Sequence, residues 1–121
     1  MVAVSEVFKA WQEGFANKDS SKVGEFFTDD FRFVSNIRDI GKQETLDWTS
    51  SGEMAIDNLE VIYENDEVAV VHHSANRGDN DGVAMVVYLK RGDKISSCRV
   101  VRTATRSEER RVGKECRSRG S

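Results

Sequence analysis

The chain has 121 residues, 38% of them hydrophobic, no proline, two cysteines, and 18 Lys and Arg against 21 Asp and Glu for a net charge of -3. That length holds one domain and excludes two. No apolar run approaches the roughly 18 to 20 residues that span a bilayer, and the start, MVAVSEVFKAWQEG, has no basic region followed by an apolar stretch, so a cytoplasmic location without a membrane partner is expected.

Val4, Val7, Phe8, Trp11 and Phe15 recur at helical spacing and predict an amphipathic first helix ending near Asn17 and Lys18. Asp19 is placed to cap a second short helix with Val23, Phe26 and Phe27 on one face. After an Asp29-Asp30 turn, Phe31 and Phe33 alternate with Arg32 and Val34 as a short strand. Gly41 then opens a third helical segment through Leu46 and Trp48, with Gly52 as its stop.

The period next changes from 3.6 to 2. Residues 57–64, 67–76, 83–90 and 94–104 are rich in Val, Ile and Tyr and are separated by Asn65-Asp66, Gly78 to Gly82 and Arg91-Gly92-Asp93, which predicts an antiparallel meander. Helices first and a meander afterwards give an α+β domain over residues 1–105.

Residues 106–121, RSEERRVGKECRSRGS, hold six basic and three acidic side chains, so residues 1–105 carry -6 and this tail +3. A basic arm can neutralise phosphates, and a solvated tail is the plainer alternative. RSEERRVGKECRSR also resembles a translated sequencing adaptor fused in frame to an incomplete gene, with Gly120 and Ser121 left by cloning. On that reading the tail and Cys116 carry no function, and no nucleic-acid partner is expected from a core of charge -6.

The helix VFKAWQEGFANKD, the passage FFTDDFRFV, Gly41 before KQETLDW and the closing YLKRGDKISSCRVV resemble, in that order, the nuclear transport factor 2-like superfamily and within it the SnoaL-like group, over residues 2–104. The resemblance implies a cystatin-like α+β cone, with N-terminal helices packed on a curved antiparallel sheet. Its open end would be a largely apolar pocket, adapted among members to isomerases, dehydratases, cyclases, epoxide hydrolases and plain binding modules. Such a fold leaves the function open. The ketosteroid-isomerase-like members place a carboxylate base just after the first strand, where this chain has Ser35 and Asn36. A carboxylate at the end of the last strand, used by polyketide cyclases, has no counterpart in RVVRTAT.

His72 and His73 are the side chains that ordinarily titrate near neutrality. Adjacent strand residues point to opposite faces, so at most one reaches the pocket. With Asn65-Asp66 as a two-residue turn, Leu59 opposes His72, which sets His72 inward beside Tyr63 and sends His73 outward with Ile62, Ala69 and Val71. His72 is then either a general acid or base, helped by Tyr63 as donor and Arg99 as clamp, or a half-buried histidine satisfied by a neighbour. A one-residue slip would exchange the two histidines. Trp11, Phe15, Phe31, Phe33, Trp48 and Met85 are candidate walls for a small apolar organic ligand, with Asn36 as a polar rim group. Most of these large side chains are equally needed as core.

Asp79-Asn80-Asp81 reads as a turn, so no metal site is expected, and no cofactor motif is found. Cys98 and Cys116 make neither a metal-ligand spacing nor a disulfide framework, and Cys98 reads as a buried filler. The apolar outer set Ile62, Ala69 and Val71 predicts a homodimer through that sheet face. Two functions remain in competition. One is a cone that binds a small apolar molecule and performs cofactor-independent acid-base chemistry at His72. The other is a non-catalytic homodimeric binding or interaction module.

Overall fold

A computed structural model describes residues 2–78 and 80–104; the expectations for Cys116 and the rest of residues 106–121 lie outside the described residues. The elements run α1 (Val4–Asn17), α2 (Ser21–Gly24), β1 (Phe27–Ser35), β2 (Asp39–Gly41), α3 (Lys42–Ser51), β3 (Ala55–Glu64), β4 (Val68–Asn76), β5 (Gly82–Arg91) and β6 (Lys94–Ala104). Six strands form one sheet in the order β2-β1-β6-β5-β4-β3. The expected meander is its larger part, β3 to β6. β1, however, lies parallel to β6, with Phe33 opposite Cys98 and Ser35 opposite Val100, so the sheet is mixed.

α1 buries the expected stripe of Val4, Val7, Phe8, Trp11 and Phe15. It stops at Lys18, which adopts a left-handed conformation (φ 56°). α3 ends as expected at Gly52 (φ 71°), where a Cβ would lie 2.8 Å from Lys18 Cγ. Thr45 and Thr49, both fully buried, turn their hydroxyls back onto the carbonyls of Gly41 (2.8 Å) and Thr45 (2.9 Å). Polar residues thereby enter the core with their hydrogen bonds made.

Three local expectations are corrected. The second helix is one turn, because Phe27 leaves it to pair with Ile95 while Ile95 N–H donates to Phe26 O at 2.7 Å. Asp29 and Asp30 lie within β1 and do not form a turn. β2 was not expected. It is held against β1 by Arg32, whose guanidinium reaches Asp39 Oδ1 at 2.6 Å, and it carries Gly41 to the start of α3.

The β3–β4 turn is also displaced. Asn65 Oδ1 accepts the N–H groups of Glu67 (2.8 Å) and Val68 (2.9 Å), and Asn65 N–H donates to Val68 O. Asp66 and Glu67 are therefore the tip, so Tyr63 meets Val70; a bulge between Val61 and Tyr63 then takes the register back by one, so Glu60 meets His72 where Leu59 was expected. Side chains on β4 consequently take the opposite faces from those expected: Ala69, Val71, His73 and Ala75 are buried beneath the helices. Ala69 and Val71 are core and contribute nothing to an outer patch. The outer face instead presents the cross-strand rows Tyr63-Val70-Val87-Arg99 and Glu60-His72-Met85-Val101.

Candidate functional site

A cavity of about 110 Å³ lies between the helices and the inner sheet face. Its closed end is aromatic. Trp11 and Phe15 descend from α1, Trp48 from α3 and Phe33 from β1, and their rings interlock, with Phe15 and Trp48 centroids 5.2 Å apart and Phe33 and Trp48 5.3 Å apart. Offset and edge-to-face packing of this kind keeps such walls rigid. Inward residues of the meander, Ala75, Ala84, Val86 and Val100, complete an apolar floor.

Of the side chains singled out in the sequence, Trp11, Phe15, Phe33, Asn36 and Trp48 line this space. Phe31 does not; it is fully buried and stacks on Phe27 at 4.0 Å, as core. His72, Tyr63, Met85 and Arg99 stand on the outer face, and the Tyr63 hydroxyl accepts a hydrogen bond from Asn65 Nδ2. The expected inward placement of His72, Tyr63 and Arg99 is thus corrected by the bulge between Val61 and Tyr63, which sets Glu60 rather than Leu59 opposite His72, and by the alternation of β6 about buried Cys98.

The histidine on the cavity wall is His73, 6% exposed, with its ring edge-on to Phe8 at 5.0 Å. Nδ1 lies 2.8 Å from Ser74 O. A carbonyl only accepts, so Nδ1 carries the proton and Nε2 keeps its lone pair. Burial pushes the imidazole pKa down, only partly offset by the Ser74 hydrogen bond, and the charge of His72 lowers it further. His73 is therefore neutral at neutral pH.

Tyr88, also in the lining, is driven well above the usual tyrosine range by burial, with Cys98 adding to the effect, so its hydroxyl stays protonated. Trp48 contributes a further donor. Its Nε1–H is buried and has no hydrogen-bond partner among the described residues, a condition that costs about 1–3 kcal/mol unless an acceptor arrives.

At the open end the lining becomes polar. Ser35 Oγ accepts the N–H groups of Ile37 (3.3 Å) and Arg38 (3.1 Å), shaping the loop that carries Asn36. Arg38, Arg77 and Arg102 join it there from the β1–β2 loop, the end of β4 and the end of β6. Tyr88 and the three arginines escaped the sequence reading, which named His73 only as the outward alternative to His72. Had buried Cys98 been used to set the parity of β6, Val100 and Arg102 would have followed inward, with Tyr88 opposite Cys98.

Among the described residues, no three His, Cys, Asp or Glu side chains come together as a metal site, and no helix is long and apolar enough to cross a membrane. No carboxylate is found among the lining residues described.

A helix-covered curved sheet around an apolar cavity defines an α+β cone. The particular fold is that of the NTF2-like proteins. An NTF2-like protein of unknown function from Cytophaga hutchinsonii ATCC 33406 superposes with a TM-score of 0.72 at 10% identity, over 85% of this chain and 92% of that one. An NTF2-like protein from Anabaena variabilis ATCC 29413 gives 0.64 at 19% identity, over 84% and 87%. An LEH-like epoxide hydrolase from M. tuberculosis gives 0.61 at 13%, over 81% and 80%. No family model matches the sequence. No curated protein matches it either.

Proposed function

We propose that the protein is a cytoplasmic, SnoaL-like binder of one small organic molecule, which lodges its apolar body among Trp11, Phe15, Phe33 and Trp48 and undergoes cofactor-independent acid-base chemistry at His73. The observation that carries this reading is a neutral imidazole on the wall of an apolar cavity, its Nδ1 proton engaged by Ser74 O and its Nε2 lone pair available. A base must be unprotonated at its operating pH, and burial keeps His73 so. Tyr88 would donate its hydroxyl proton to the oxygen on which charge develops. Proton abstraction beside a carbonyl begins isomerase, dehydratase and cyclase-type reactions alike. With no carboxylate in the described lining, His73 takes the part that a carboxylate plays in ketosteroid-isomerase-like members.

Screening small cyclic carbonyl compounds for turnover, then comparing His73→Gln with His72→Gln, tests the assignment. His73→Gln is expected to slow the reaction by about 10²- to 10⁴-fold, with His72→Gln close to the parent. Unchanged kinetics in His73→Gln would remove the catalytic role.

A second reading, a non-catalytic homodimeric module, is favoured by the outer sheet face, where Tyr63, Met85 and Val101 are exposed. A second copy would cover that surface. Sedimentation velocity of the parent and of Met85→Glu/Val101→Glu distinguishes the cases: a dimer that the double change splits supports the interface, and a parent that remains monomeric at high concentration refutes it.

A further inference from the structure

The polar groups of the cavity are unevenly distributed by charge. Three guanidinium groups line its open end, and no carboxylate is found among the lining residues described. The topology brings them together: Ser35 at the end of β1 is in register with Val100, and the ends of β4 and β6 lie over the start of β5, so Arg38, Arg77 and Arg102 share one rim. Glu53 serves two of them at once, 3.8 Å from Arg38 and 3.2 Å from Arg77. Asp81, in the neighbouring turn, is not among the lining residues described.

Arg102 is held by backbone. Its Nε and Nη2 donate to Ala75 O at 3.1 and 2.9 Å, and Nη2 also donates to Asn80 O at 3.0 Å. These bonds fix the guanidinium plane, but carbonyl groups do not neutralise its charge. Arg38 is fixed differently, with its guanidinium carbon 4.5 Å from the centre of the Trp48 ring. The same indole carries the buried N–H that has no partner. A planar cation and an unspent donor therefore lie side by side, next to the aromatic end of the cavity.

We infer that the molecule this cavity takes is a small carboxylate, its single ring or similarly compact apolar body among the aromatic walls and its anionic group at the rim formed by Arg38, Arg77 and Arg102. The inference rests on the pocket reading above and specifies its ligand class. A planar carboxylate matches the fork of guanidinium donors, which is the geometry that arginine recognises best. Trp48 Nε1–H supplies one more donor to the ligand's oxygen atoms. The size limit follows from volume: apolar cavities of about 150 Å³ hold benzene, so a space of about 110 Å³ that opens at one end suits a body of one ring.

Isothermal titration calorimetry of the full chain with phenylacetate and with its neutral isostere phenylacetamide tests this. Phenylacetate is expected to bind about tenfold more tightly, with the preference shrinking at high salt and in Arg77→Gln and Arg38→Gln. Arg77 is the more exposed of these two, so its replacement separates charge from folding. Equal affinity for the two probes, or a preference for phenylacetate that survives both arginine changes, would overturn the anionic assignment while leaving a working pocket. Binding of neither probe would overturn the pocket reading and this inference with it.

Discussion

Trp11 Nε1 donates a 2.8 Å hydrogen bond to Thr49 Oγ1 across the α1–α3 contact, and the Thr49 hydroxyl donates in turn to Thr45 O. One of the two cavity tryptophans is therefore satisfied inside the protein, whereas Trp48 is not. Thr49→Val keeps the shape of the side chain and removes the acceptor, leaving the Trp11 N–H buried without a partner. We expect a loss of about 1–3 kcal/mol, read as a lower denaturation midpoint at unchanged slope. Adding Trp11→Phe to Thr49→Val should cost less than the sum of the two single changes, because the orphaned donor is gone.

Lys90 gives a second test. Its ammonium is wholly buried, 2.7 Å from Glu64 Oε2 and 2.9 Å from Asn65 O, and the same carboxylate oxygen accepts the Val4 N–H at the start of α1. Burial alone would raise the Glu64 pKa, but the Lys90 hydrogen bond, the Val4 N–H and the Lys90 charge together leave it below the usual value. Breaking a buried pair from one side costs about 3–5 kcal/mol; with Glu64 still partly exposed, Glu64→Gln should cost about 2–3 kcal/mol in equilibrium unfolding. An effect within error of zero would show that solvent already screens the pair.

The pH dependence of stability follows from His73. Its folded pKa lies below the ordinary 6.5, so as pH falls below 6.5 the unfolded chain takes up the proton first. The stability associated with the neutral buried ring is complete above pH 6.5 and is lost as pH falls toward the lowered folded value. Denaturant midpoints measured across that interval should decline toward acid, and the decline should be smaller in His73→Phe. A slope identical in the two proteins would mean that the ring is hydrated when folded.

Gly82 begins β5 at the rim. A Cβ there would lie 2.7 Å from Thr103 O and 2.9 Å from Arg102 Nη2. Backbone cannot yield cheaply, so Gly82→Ala should destabilise the fold by about 1–3 kcal/mol. Because Arg102 is crowded in the same step, affinity for phenylacetate should fall together with stability, and a variant of unchanged melting temperature and affinity would refute the contact.

Much of the architecture was legible without coordinates, because its signals are local. The helical stripe from Val4 to Phe15, Gly52 as a stop and the four strands of the meander each follow from a period or a turn residue within a short window. So did the aromatic half of the cavity: Trp11, Phe15, Phe33 and Trp48 are large apolar side chains on the inner faces of their elements.

The chemical half was decided by tertiary structure. The Asn65 side chain caps the β3–β4 turn one residue later than expected, a change that alone keeps the same faces paired; the bulge between Val61 and Tyr63 adds the odd step, and a strand of period two converts it into an exchange of His72 for His73. Pairing of β1 with β6 joins segments more than 60 residues apart, and it brings the Arg38 loop to the end of the sheet that holds Arg77 and Arg102. Composition and periodicity report which residues prefer to be buried. Which of them share a cavity depends on strand register and on pairings between distant segments, and these are settled only when the whole sheet closes over α1.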